Sequence, residues 1–139
     1  MKKVFAKLFG LALIVSLSVL SSCGGAPSNE EVKAITEKHI STVTDSEYGK
    51  LIDYVGAAIN DALPVVKKIN EAKEAGDYDN LEKLYNERKE IQEKYPYMSE
   101  AMSIVNRAVN LDEISSSNMK KIEKISEKVM DAGVKFRDF

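Results

Sequence analysis

Residues 44–76 read TDSEYGKLIDYVGAAINDALPVVKKINEAKEAG, and this segment carries the clearest structural signal in the chain. Its apolar positions follow one another at intervals of 4, 3, 4, 3, 4 and 3 residues: Tyr48, Ile52, Val55, Ile59, Ala62, Val66 and Ile69. A mean spacing near 3.5 residues is typical of helices that pack at a shallow angle. Thr44 and Glu47 form a capping box, Pro64 predicts a kink, and Gly76 is a suitable stop. The segment therefore predicts one long helix over residues 47–75.

The segments on either side also have helical spacing. Ser28 and Glu31 form a second capping box, which predicts a helix over residues 29–43. Apolar residues recur at helical intervals in three later segments, around residues 80–95, 98–109 and 119–132. No segment alternates in the manner of a strand. We therefore predict an all-α fold, a helical bundle of four main helices plus a short N-terminal helix, over residues 29–139.

Composition excludes several classes of function. The chain has 139 residues, of which 30% are charged and 44% hydrophobic, and its net charge is −2. This is the composition of one globular domain, and a net negative charge disfavours nucleic acid as a partner. A single cysteine excludes an internal disulfide, and a single histidine leaves little material for a metal site.

The N-terminal segment is typical of a secretory signal. Three lysines, at positions 2, 3 and 7, precede a mostly apolar run over residues 8–20. A membrane-spanning helix needs about 20 such residues, so this run is too short to cross a bilayer. A basic start followed by a short apolar run fits the n- and h-regions of a signal peptide.

The next residues are Leu20, Ser21, Ser22 and Cys23, followed by Gly24. This pattern resembles the lipobox of bacterial lipoproteins, in which a leucine and two small residues precede a cysteine. The resemblance implies that residues 1–22 are a cleaved signal peptide, that Cys23 carries acyl chains, and that residues 23–28 form a lipidated cysteine with a short tether. The membrane is then a partner of the protein through the chains on Cys23, because two or more acyl chains anchor a protein firmly.

The resemblance also indicates a location. In enteric bacteria an aspartate directly after the cysteine favours the inner membrane, and here that position is Gly24. We therefore expect a lipid-anchored protein of the cell envelope, in the outer membrane, on its periplasmic face or at the cell surface. The chain as a whole resembles small all-helical lipoproteins of Bacteroidetes. Removal of residues 1–22 would change the net charge to 17 − 22 = −5, because that segment contains three lysines and no acidic residue.

The candidate chemical sites all have simpler structural interpretations. His39 has no ligand three or four residues away on a helix, so we expect it to be structural. Asp77 begins a calcium-like loop, but a glycine and a glutamate are missing at the required positions, and turn or capping duty explains the acid. Residues 115–117 are three serines without a nucleophile motif, which favours a helix cap. We expect no metal site, no cofactor and no enzymatic activity.

Two groups of side chains are candidates for binding. Tyr95 and Tyr97 flank Pro96 and are a weak candidate for a partner-binding patch, although a helix-end contact explains them as well. Four methionines could line an adaptable cavity, although core packing is the commoner use: Met98, Met102, Met119 and Met130.

The sequence thus predicts a membrane-anchored envelope lipoprotein that acts as a helical interaction or structural module, with an envelope protein as its partner. The seam of the long helix also permits a homodimer, although packing within one chain needs the same residues. The alternative is a carrier or binding protein for a small apolar ligand held between the helices.

Overall fold

A computed structural model describes residues 25–139 and confirms the all-α prediction. Within that range it contains five α-helices and no strand. The helices are α1 (Asn29–Thr36), α2 (Asp45–Ala75), α3 (Tyr78–Lys94), α4 (Met98–Asn110) and α5 (Ser116–Asp131). Two short 3₁₀ turns, Ile40–Thr42 and Phe136–Asp138, complete the described chain. Cys23 and the expected signal peptide lie outside the described residues.

The long helix α2 is the centre of the domain. It contacts each of the other four helices, and α1 also contacts α4. All seven residues of its predicted seam are buried. The seam therefore packs inside a single chain, and a homodimer would have to use other surfaces. Pro64 lies exposed within α2 without ending it.

Both predicted capping boxes are present. The Ser28 hydroxyl accepts from the Glu31 amide at the start of α1, and Thr44 accepts from the Glu47 amide at the start of α2. The carboxylate of each glutamate in turn accepts a hydrogen bond from the backbone amide of its capping residue. These pairs satisfy amides that a helix start leaves without partners. Helix α1 begins at residue 29 as predicted, and α2 begins at Asp45, two residues before the predicted start.

The first helix is shorter than predicted. It ends at Thr36 rather than near residue 43, because local side-chain bonds replace the helical pattern beyond that point. The Thr42 hydroxyl donates to the His39 carbonyl at 2.7 Å, and the Ser41 amide donates to the His39 ring at 3.4 Å. His39 is exposed and caps the 3₁₀ turn, which is a structural role.

Helices α2 and α5 run parallel and approach closely. Contacts between them advance together along both helices, from Asp45 with Asn118, through Asp53 with Lys121, to Asn60 with Lys128. Gly49 and Gly56 lie on the same face of α2, where a Cβ would come within 3.0 Å of Asn118 and 3.1 Å of Ile125. The two glycines therefore allow the close approach.

Helices α2 and α3 form an antiparallel hairpin. Gly76 joins them with a left-handed backbone (φ +70°), and Asp77 caps α3 by accepting from the Asn80 amide. This capping role explains Asp77, the acidic residue at the start of the calcium-like loop. At the far end of this hairpin lies a small separate apolar cluster, here called the tip cluster: Ile69, Ala72, Leu81 and Leu84. A larger apolar cluster, the main core, lies around α2 between Leu51 and Val66.

Candidate functional site

An apolar cavity of about 310 Å³ lies between α4 and α5, with α2 as its floor. Both helices pack on α2 but have little contact with each other, which leaves a gap between them. The lining residues are Ile52 and Val55 from α2, Met102, Val105 and Asn106 from α4, Ile122, Ile125 and Ser126 from α5, and Phe136. We call this the α4–α5 cavity. Its size is near the lower end of the range for pockets that bind small molecules.

A second cavity of about 340 Å³ adjoins the first. It lies between the end of α3 and the start of α4, and we call it the α3–α4 cavity. Its lining residues are Gln92, Tyr95, Pro96, Met98, Ser99, Met102, Phe136 and Phe139. Met102 and Phe136 line both cavities, so these two side chains form the partition between them. Neither cavity has a charged side chain in its lining.

The C-terminal segment bridges from α5 to α3 across this region. Gly133 turns the chain with φ +69°, Val134 is buried, and Phe136 is 39% exposed at the partition. The Phe139 carbonyl oxygen then accepts from an Arg88 Nη2 at 2.8 Å and from Gln92 Nε2 at 3.3 Å. This segment therefore forms part of the wall of both cavities.

Only some of the methionines identified in the sequence line these cavities. Met102 contributes to both and Met98 to one. Met130 is 66% exposed on the outer face of α5, and Met119 lines neither cavity. Phe136 and Asn106 were not expected in the site, because neither belongs to an apolar pattern that could be followed along the sequence.

Tyr95 and Tyr97 are part of the folded framework. Both are half-buried and pack against the main core. The Tyr95 hydroxyl donates to Asp61 Oδ2 at 2.8 Å, and its ring meets the Tyr54 ring edge-on at 5.3 Å. These contacts explain both tyrosines as structural residues, and their role in partner binding stays a prediction.

Tyr54 links α2 to the start of α1 and to the turn at Tyr97, although its position in the sequence lies off the main seam of α2. It is 1% exposed, and its hydroxyl donates to Asn29 Oδ1 at 2.7 Å while accepting from the Tyr97 amide at 3.4 Å. Burial raises the pKa of Tyr54. The Tyr85 ring, by contrast, is 41% exposed beside Lys73 on the hairpin.

A hydrogen bond beside these tyrosines fixes the place where the N-terminal tether joins the domain. The Asn29 side-chain amide donates to the Lys94 carbonyl at 3.2 Å, directly before the turn that lines the α3–α4 cavity. Lys94 and Tyr95 both bond to Asp61, and that carboxylate raises the pKa of Lys94. Residues 25–28 therefore leave the domain close to the α3–α4 cavity.

Within residues 25–139, no group of three or more His, Cys, Asp or Glu side chains is placed to hold a metal ion. No helix in this range has the length and apolar character needed to cross a membrane.

Comparison with known proteins gives no match, whether the chain is compared with protein-family models, curated proteins or solved structures.

Proposed function

We propose that this chain is a lipid-anchored protein of the bacterial envelope, and that its helical domain presents α-helical faces to a protein at the same membrane. The observation that supports the anchor is the pattern Leu20-Ser21-Ser22-Cys23 after a basic, apolar segment. The domain starts almost at once, with the capping box at Ser28.

The tether limits where the domain can act. Ser28 follows Cys23 by five positions, so the chain between these two residues spans at most about 18 Å when fully extended. A domain held so close to the bilayer meets only partners at or near that membrane. Exposed apolar side chains such as Leu111, at 54% exposure, are available for such contacts.

The anchor is tested by labelling cells with an alkyne-tagged palmitate and purifying the protein. Wild type is expected to carry the label, and Cys23→Ala is expected to lose it and to keep residues 1–22. Ser21→Ala is the matched control, since it keeps a small residue in the motif and should leave labelling unchanged. Labelling of Cys23→Ala equal to wild type would contradict the anchor.

The partner is tested by photo-cross-linking in intact cells. A photoreactive phenylalanine analogue replaces either Tyr97, in the half-buried turn, or Tyr78, which is 76% exposed on the hairpin. If the turn faces a partner, position 97 should give one stoichiometric adduct with an envelope protein and position 78 should not. Equal cross-linking at both positions would show that the turn is not a specific contact surface.

The cavities favour a second candidate function, the binding of a small apolar ligand. Two adjoining cavities with largely apolar walls are the kind of site that such ligands occupy. This function is compatible with the anchor, because an apolar ligand is most concentrated in the membrane itself.

A further inference from the structure

We propose that the α4–α5 and α3–α4 cavities together bind one long-chain fatty acid, with the acyl chain passing Met102 and Phe136. The proposal deepens the second candidate function. It does not depend on the identity of a protein partner.

The shape of the site favours a single unbranched chain. The two cavities adjoin each other, and both are lined by the side chains of Met102 and Phe136. A compact ring system would fill one cavity and leave the other empty, whereas a linear chain extends through both. Met102 is unbranched and flexible, and Phe136 is partly exposed, so both can change rotamer to let a chain pass.

The chemistry of the lining favours a hydrocarbon. Ile52, Val105, Ile122 and Ile125 form walls of the α4–α5 cavity, and no charged side chain lines either cavity. The few polar groups, such as Asn106 and Gln92, are exposed and lie where a head group would meet water. A cavity with apolar walls favours an apolar occupant over water.

The position of the tether explains how such a ligand would arrive. Asn29 is fixed to the Lys94 carbonyl beside the α3–α4 cavity, and Cys23 is only six residues before it. An anchor at Cys23 would therefore hold the cavity within about 20 Å of the lipid surface. A lipid with one acyl chain is bound only marginally by a bilayer, so it exchanges far more readily than lipids with two chains.

The test uses the full-length protein, isolated from cell membranes and reconstituted into phosphatidylethanolamine–phosphatidylglycerol vesicles. A palmitate that carries a diazirine and an alkyne is added and irradiated, and the labelled peptides are mapped by mass spectrometry. We expect light-dependent adducts within residues 98–106 and 122–126, and at least tenfold less labelling in the presence of excess unlabelled palmitate.

A matched pair of variants separates the cavity from the surface of α4. Asn106 and Asn110 are both exposed on α4, but only Asn106 lines the α4–α5 cavity. Asn106→Trp should fill the cavity from its rim and reduce the labelling at least tenfold. Asn110→Trp should leave the labelling at the wild-type level. Because both side chains are exposed, neither variant should unfold the domain, and circular dichroism of each variant checks this.

Labelling that is spread over the surface, that unlabelled palmitate does not reduce, or that survives Asn106→Trp would overturn the proposal. Failure of the anchor gives a different result, since the purified protein would then lack acyl chains on Cys23 while the cavity labelling persisted.

Discussion

The two ends of α2 are packed in different ways. The first part, from Leu51 to Val66, lies in the main core, to which α1, α4 and α5 also contribute buried residues. The last part, from Ile69 to Ala75, packs its buried side chains against α3 in the tip cluster. The same helix, with similar spacing of apolar residues, thus belongs at one end to the part of the domain around the main core, here called the body. At its other end it belongs to a two-helix hairpin. We therefore expect the two ends to differ in stability and in cooperativity.

Matched leucine substitutions should give the largest difference. Leu51 is fully buried in the body, and Leu84 is 4% exposed in the tip cluster. We expect Leu51→Ala to reduce the free energy of unfolding by about 3–5 kcal/mol, because rigid surroundings leave a cavity. Leu84→Ala should cost about 2 kcal/mol, because a two-helix hairpin can close around the missing atoms. Urea unfolding measures both, and equal losses would show that the hairpin is packed as rigidly as the body.

A pair of glycine substitutions tests the close contact between α2 and α5. A Cβ on Gly49 would come within 3.0 Å of Asn118, whose amide is held by two hydrogen bonds to Asp45. Since Asn118 cannot move away, we expect Gly49→Ala to cost about 1–3 kcal/mol.

A Cβ on Gly56 would come within 3.1 Å of the Ile125 Cδ1, at the end of a flexible side chain that borders the α4–α5 cavity. Ile125 can turn into that space. We therefore expect the gain in helix propensity to prevail, so that Gly56→Ala is neutral or stabilising by up to about 1 kcal/mol. Thermal unfolding of the two variants decides the matter, and a loss in Gly56→Ala as large as in Gly49→Ala would show that the cavity cannot accommodate the displaced side chain.

The sequence predicts the helices and their ends better in some of these regions than in others. The seam of α2 and both capping boxes were predictable, because helical period and capping depend on residues a few positions apart. The end of α1 was not, since it depends on competing bonds around His39. The burial of Tyr54 was not predictable either, because it depends on contacts with α1 and with the turn at Tyr97, which no local pattern reveals.

The candidate site was less predictable than the fold. Met98 and Met102 could be identified as cavity residues, but not separated from Met119 and Met130. The cavities exist because α4 and α5 pack on α2 and not on each other, and that depends on helix positions rather than on the residues of one helix. Phe136 reaches the partition only through the turn at Gly133.

A smaller effect should be confined to the hairpin. Gly76 has a left-handed backbone, and a Cβ there would meet no atom within 4 Å, so Gly76→Ala introduces backbone strain alone. We expect a cost of about 1 kcal/mol, seen as faster hydrogen exchange of amides around the tip cluster. Gly133→Ala is the matched control, with φ +69° and equally open space beside the C-terminal segment. Faster exchange throughout the body in Gly76→Ala would show that the hairpin does not open independently.

The smallest effect is a dependence of stability on acidic pH. Hydrogen bonds from the Ser28 amide and the Lys50 ammonium lower the pKa of Glu31 below 4.5, and bonds from Ser115 lower the pKa of Asp45 below 3.8. Each carboxylate therefore binds protons less readily in the folded than in the unfolded chain. The stabilisation is complete above the unfolded pKa and is lost as the pH falls through the lower, folded value.

We expect the melting temperature of wild type to be constant between pH 6 and pH 7 and to fall below about pH 4.5, where unfolded carboxylates begin to bind protons. Glu31→Gln should melt below wild type at pH 7, because the amide cannot pair with Lys50 as a charge. The difference between the two proteins should shrink towards pH 3, where Glu31 of wild type is protonated as well. A difference that stays constant between pH 7 and pH 3 would show that the cap at α1 stabilises the body without its charge.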